Sequence, residues 1–153
     1  SVPMTGIYAR EFSYLGRYVQ IGVASERVVS VSFPEGADAD AESDHQLLDR
    51  IQRYFEGVEE DFRDVNVGLT VSGDRRAVLE AVREIPYGEQ VTIETLVRTT
   101  PGLDASVADD QDLARAALAD NPAPLLLPDH RVRDGASAAP AEVEQKLRSL
   151  EGL

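Results

Sequence analysis

Asp129 and His130 sit side by side in the run NPAPLLLPDHRV, residues 121–132. A carboxylate beside an imidazole can do acid–base work, and a carboxylate can also serve as a nucleophile when its neighbours activate it. Three leucines and Pro128 precede the pair, so these polar groups arrive where the chain is running into a core. Buried polar groups have to be hydrogen-bonded or paired. Two readings stand at this point. In one the pair is structural, with Asp129 ion-paired to Arg131 or capping a local turn. In the other it is chemical. No metal centre is expected, because the only other histidine, His45, lies far off in the first half and too few ligands remain. Cysteine is absent, which removes disulfides, thiolate metal sites and any thiol nucleophile together.

The elements that must hold the pair follow from hydrophobic periodicity. Val19, Ile21 and Val23 alternate with polar or small residues, as do Val29, Val31 and Phe33, and Ser25-Glu26-Arg27 lies between them. This spacing predicts a β-hairpin. Ser43 with Gln46 forms a capping box before a helix whose inner face is Leu47, Leu48, Ile51, Tyr54 and Phe55, ending at Gly57. Val65, Val67, Leu69 and Val71 alternate as a further strand. The second half reads as helices. Val78, Leu79 and Val82 mark one that stops at Pro86 and Gly88. Thr92 caps a short one, and Ser106 with Asp109 caps a longer one carrying Leu113, Ala114, Ala117 and Leu118. Pro140 suits the first turn of a last helix with Val143, Leu147 and Leu150. The pair at about 92–98 and 106–120, joined by a turn containing Gly102, has a helix-turn-helix pattern.

Length and composition bound the rest. The chain has 153 residues, enough for one domain or two small lobes. No apolar run approaches the roughly 18 residues of a membrane span, and the N-terminus shows no secretory pattern, so a cytoplasmic protein is expected. The net charge is −13, and Lys146 is the only lysine. Such a surface is the one expected of a protein living in molar salt, where a Debye length of about 3 Å screens self-repulsion.

In their order and spacing, LLDRIQRYFEGVEEDF (47–62), VLEAVREIPYGEQVT (78–92) and the NP…PDHRV stretch (121–132) resemble the O6-alkylguanine-DNA alkyltransferases and their cysteine-lacking relatives, the alkyltransferase-like proteins. The resemblance implies an α/β fold. An N-terminal ribonuclease-H-like β-sheet lobe with a helix would span 1–72, and a C-terminal helical winged-helix lobe would span 73–153. It further implies that the helix-turn-helix enters the minor groove of duplex DNA and that an alkylated guanine is flipped into a pocket. There a cysteine in a Pro-Cys-His-Arg-Val motif takes the alkyl group.

Carried over residue by residue, the resemblance places Asp129 at the acceptor cysteine and His130 at its activating histidine. Pro128 opens the motif, Asn121 braces the site loop, and Glu151 closes the histidine network. Ile93 stands where the family has a tyrosine that rotates the nucleotide. Asp112 stands where it has an arginine that fills the gap left by the flipped base, with Arg115 three residues away. The loop after the motif, RDGASAAPAEVE, keeps only Gly135 of the family's pocket wall. Arg115, Arg131 and Arg133 are the cations expected to meet DNA. Alkyl transfer is an SN2 displacement that needs a soft, activated nucleophile. The expected function is therefore non-enzymatic binding of duplex DNA carrying O6-alkylguanine. The alternative is a repurposed module that presents an acidic face to a basic protein. A third reading keeps Asp129 as an alkyl acceptor. No cofactor, no metal and no membrane partner is expected, and the chain is expected to be a monomer.

Overall fold

The computed structural model describes residues 5–153. Three antiparallel strands in the order β1-β2-β3 open the fold: β1 Thr5–Phe12, β2 Arg17–Ala24 and β3 Arg27–Ser32. The β2–β3 hairpin lies where the alternation puts it. Its two-residue loop, Ser25-Glu26, has φ of 52° and 66°. Two consecutive left-handed residues make the primed turn whose twist matches a hairpin. β1 carries no clean alternation, because Tyr8 and Ala9 are both buried, and sequence periodicity gave no sign of it. It is fixed by pairing along the whole of β2, with Tyr8 opposite Ile21 and Arg10 opposite Val19.

Five helices follow: α1 Gln46–Phe55, α2 Gly73–Arg83, α3 Ile93–Thr99, α4 Ala108–Ala119 and α5 Ala141–Glu151. α1 buries Leu47, Leu48, Ile51 and Tyr54. Its cap is His45, not Ser43: the His45 Nδ1 accepts from the Leu47 N–H at 3.0 Å, while the Ser43 carbonyl accepts from Arg10. Thr92 caps α3 as expected, its Oγ1 accepting from the Thr95 N–H. The predicted Ser106 cap of α4 does not form. Val107 is the cap residue, and Ser106 Oγ instead donates to Asp104 at 2.7 Å. Pro140 directly precedes α5.

The expected strand at 65–71 is also absent. Only Val67 bridges to Val28, through the Val28 N–H to Asn66 and the Gly68 N–H to Val28. Further along β3, the Val31 N–H donates to the Pro122 carbonyl. Segments from two distant parts of the chain thus share one sheet edge, which leaves no ladder for a full strand.

Apolar residues gather in two clusters. One joins the sheet and α1 to Leu125, Leu126, Leu127, Val143 and Leu147 from the second half. The other lies among α2, α3 and α4 and includes Ile93, Leu96, Val97, Ala114, Leu118 and Val132. The three leucines of the opening stretch therefore cross from the end of α4 into the first cluster. They deliver residues 129–131, a single 3-10 turn, to the seam between the two. Among the described residues, no helix is long and apolar enough to cross a membrane.

Candidate functional site

Asp129 opens the 3-10 turn and is only 2% exposed. Its Oδ2 accepts from Asn121 Nδ2 and from the Ala138 N–H, both at 3.0 Å, and its Oδ1 accepts from Ser137 Oγ at 2.7 Å. Burial pushes the carboxyl above its ordinary range, against the three hydrogen bonds, which pull it down. Asn121 is engaged at both ends in turn. It also donates to the Leu127 carbonyl and accepts from the Ala123 N–H, both at 2.9 Å, which holds the loop in shape.

His130 is fully buried and points the other way, into a network centred on Glu151. Its Nε2 lies 2.6 Å from Glu151 Oε2, and its Nδ1 has no protein partner. Arg131 donates through Nε to Glu151 Oε1 at 2.7 Å, through Nη2 to Oε2 at 3.1 Å, and through Nη1 to the Ile85 carbonyl at 2.7 Å. Tyr54 from α1 donates its hydroxyl to Glu151 Oε2, and the Gly88 N–H reaches Oε1 at 3.1 Å. Burial would raise the Glu151 carboxyl, but the donors from His130, Arg131 and Tyr54 outweigh it and hold it down at about 2. Glu151 thus ties together α1, the turn at 86–89, the 129–131 turn and its own helix α5. Pro128 is buried at the entry, its carbonyl accepting from the Arg131 N–H at 3.0 Å.

The remaining expected residues divide. Arg115 and Asp112 are both exposed on α4, 3.9 Å apart, and Arg133 is exposed after the turn. Arg131 is buried and committed to Glu151, so it is not free for phosphate and does not pair with Asp129. Ile93 is fully buried, with its N–H donating to Asp134 Oδ1 at 2.7 Å, so its side chain has no DNA-facing surface. Arg131 is drawn inward by its ion pair with Glu151, and Ile93 by apolar packing in the cluster of α2, α3 and α4.

Sequence reading missed Ser137, Ala138 and Asp134, which close the loop over Asp129 and onto the N-terminus of α3. Gly135 between them lies flush on α4: a Cβ there would come within 2.8 Å of Leu118 Cδ1 and 2.9 Å of Val132 Cγ1. No spacing rule announces such contacts, since they exist only once the loop has closed. Among the described residues, no group of three or more potential ligand side chains could hold a metal ion.

A small antiparallel sheet backed by a helix, joined to a helical part through the buried His130-Arg131-Glu151 network, has the fold of the O6-methylguanine methyltransferases. The comparisons agree. The chain is 38% identical over 109 residues to the methylated-DNA–protein-cysteine methyltransferase of Methanopyrus kandleri, covering 70% of this chain and 78% of that protein. It is 33% identical over 107 residues to a DNA base-flipping protein of Thermus thermophilus, covering 69% and 68%. The fold matches that of a Mycobacterium tuberculosis alkyltransferase solved in complex with DNA, with a TM-score of 0.72 at 20% identity over 96% of this chain and 93% of that one. No protein-family model matches the chain. The chain belongs to the methylated-DNA–protein-cysteine methyltransferase family, and it has no cysteine.

Proposed function

We propose that this family member binds duplex DNA carrying O6-alkylguanine without taking up the alkyl group. The observation that carries this reading is Asp129. At the position expected for the acceptor, its carboxylate is almost wholly buried and both oxygens are held by donors from Asn121, Ser137 and Ala138. An in-line displacement needs a free lone pair pointing at the alkyl carbon and room for the base. Three of the carboxylate's roughly four acceptor positions are already taken, and at 2% exposure there is no room for the base. DNA engagement is supported by the relative named a base-flipping protein and by the DNA-bound neighbour. The contact would fall to α3 and α4, in the manner of a winged helix, with Arg115 and Arg133 as exposed cations.

One observation favours the alternative of a protein-interaction module. α4 exposes Asp109 and Asp112, with Asp110 beside them, and anions there oppose phosphate. A single experiment separates the two readings. A methylated duplex labelled on the alkyl group is titrated by fluorescence anisotropy over a salt series, and the protein is then assayed for covalent label. Saturable binding with no label is expected. Replacing Asp109, Asp110 and Asp112 with asparagine should tighten binding about tenfold or more, and Arg115→Ala with Arg133→Ala should abolish it. Stoichiometric label would restore Asp129 as an acceptor. Absence of binding at every salt where the protein is folded would leave the interaction module.

The acidic composition fits growth in molar salt, and this too is a proposal. With 28 acidic against 15 basic side chains, repulsion is unscreened in dilute buffer. The melting temperature should climb steadily from dilute buffer to molar potassium chloride, and a flat or falling curve would remove the salt adaptation.

A further inference from the structure

Away from the seam, the β1 end of the sheet and the C-terminal end of α1 border a half-open cavity of about 250 Å³. Phe12, Tyr14 and Phe55 line it, and so do the exposed Glu11, Gln52 and Glu56. The Phe55 ring packs 5.0 Å from Phe12 in an edge arrangement and 5.7 Å from Tyr14 at a 31° tilt. The Tyr14 hydroxyl donates to the Lys146 carbonyl at 2.7 Å, which fixes that ring as a wall.

Three features of this cavity favour a positive charge. Aromatic faces carry negative quadrupole density. Glu11 and Glu56 are carboxylates with no ion pair among the described residues. α1 ends at Phe55, so its C-terminal carbonyls add the negative end of a helix dipole.

Among the described residues, no cation of the chain lines the cavity. Arg10, Arg50 and Arg53, the cations of β1 and α1, do not line the cavity. Arg10 is held by Asp49, Gln52 and the Ser43 carbonyl, and Arg50 by Glu60 and Asp64. Lys146 Nζ is turned to the Leu15 carbonyl. The cation–ring contacts among the described residues are Arg50 over Phe62 and Arg131 over Tyr87, both elsewhere. In size the cavity falls below the roughly 300–1,000 Å³ of sites for drug-sized molecules and cofactors. It matches one extended side chain.

We propose that this aromatic and acidic cavity receives a single lysine or arginine side chain from a partner protein. The site is independent of the DNA-binding reading and lies on the opposite half of the sequence from α3 and α4. Specificity comes from pairing a delocalised or compact cation with Phe55 and Tyr14 while the two glutamates neutralise it.

The test uses the full chain, isotopically labelled, and backbone amide spectra at the lowest salt that keeps them dispersed. The probes are a capped Gly-Arg-Gly peptide, its lysine counterpart, a citrulline control of the same shape without charge, and tetramethylammonium chloride. The arginine and lysine peptides should shift resonances of residues 11–14 and 52–56, saturating in the millimolar range, and the citrulline peptide should not. Glu11→Gln with Glu56→Gln, and separately Phe55→Leu, should weaken binding at least fivefold while the rest of the spectrum stays in place. The proposal would be overturned by no saturable shifts at these residues, by equal binding of citrulline, or by variants that bind like the parent. Tetramethylammonium binding as tightly as the peptides would instead make this a free-cation site and exclude docking of a partner side chain.

Discussion

Glu151→Ala is expected to cost about 3–5 kcal/mol of folding stability, the range found when one partner of a buried ion pair is removed. The substitution leaves the Arg131 guanidinium buried with only the Ile85 carbonyl, and it leaves Tyr54, His130 and the Gly88 N–H without their acceptor. Against a total of roughly 5–15 kcal/mol for a domain, that is a large share. Adding Arg131→Met should recover part of the loss, because no charge then remains buried, while the tyrosine and histidine stay unpaired. Chemical denaturation of the three proteins measures both effects.

The pH dependence carries the same signature. The folded-state pKa of Glu151 is depressed to about 2 from an ordinary 4.5. Its contribution is therefore fully present above about 4.5 and disappears as the pH falls toward 2. Glu151→Ala should flatten that part of the acid limb. A cost under about 1 kcal/mol, or an unchanged acid limb, would mean that the network does not hold the seam.

Asp129 is the second large expected effect, and its sign depends on the replacement. Asp129→Asn keeps a carbonyl oxygen for Asn121 and the Ala138 N–H, and places an amide where Ser137 Oγ can accept. It also removes a buried charge. The folded-state carboxyl is raised, so the stability it contributes is present at low pH and lost as the pH rises through that raised value. The asparagine variant should thus equal or exceed the parent at neutral pH and lose that advantage in acid. Asp129→Ala has no such compensation. It strands the buried Asn121 amide and two part-buried donors, Ser137 Oγ and the Ala138 N–H, and should lose about 2 kcal/mol or more, since an unsatisfied buried donor costs about 1–3 kcal/mol. Thermal and urea unfolding of both variants at neutral and acid pH reads the difference. If asparagine proved as damaging as alanine, the ionised carboxylate itself would be required. Asp129 would then be more than a brace for the 133–139 loop.

The sequence alone determined the features that local pattern controls. Alternation placed the β2–β3 hairpin, and helical spacing placed the buried faces of α1, α2, α4 and α5. Thr92 announced α3 because a hydroxyl that caps a helix acts within three residues of itself. The motif spacing gave the family and put Asp129 beside His130. The tertiary structure alone decided what those two residues do. His130 and Arg131 turn to Glu151, about twenty residues on, while Asp129 turns to Asn121 behind it and Ser137 ahead. The same long-range competition demoted 65–71 from a strand, took Ser106 out of its capping role, and buried Arg131 and Ile93 away from any DNA face. Periodicity is written along the chain because side-chain direction repeats with the backbone. Which donor meets which buried acceptor is settled only when loops close and water leaves the seam, since only there does an unpaired polar group carry its full desolvation cost.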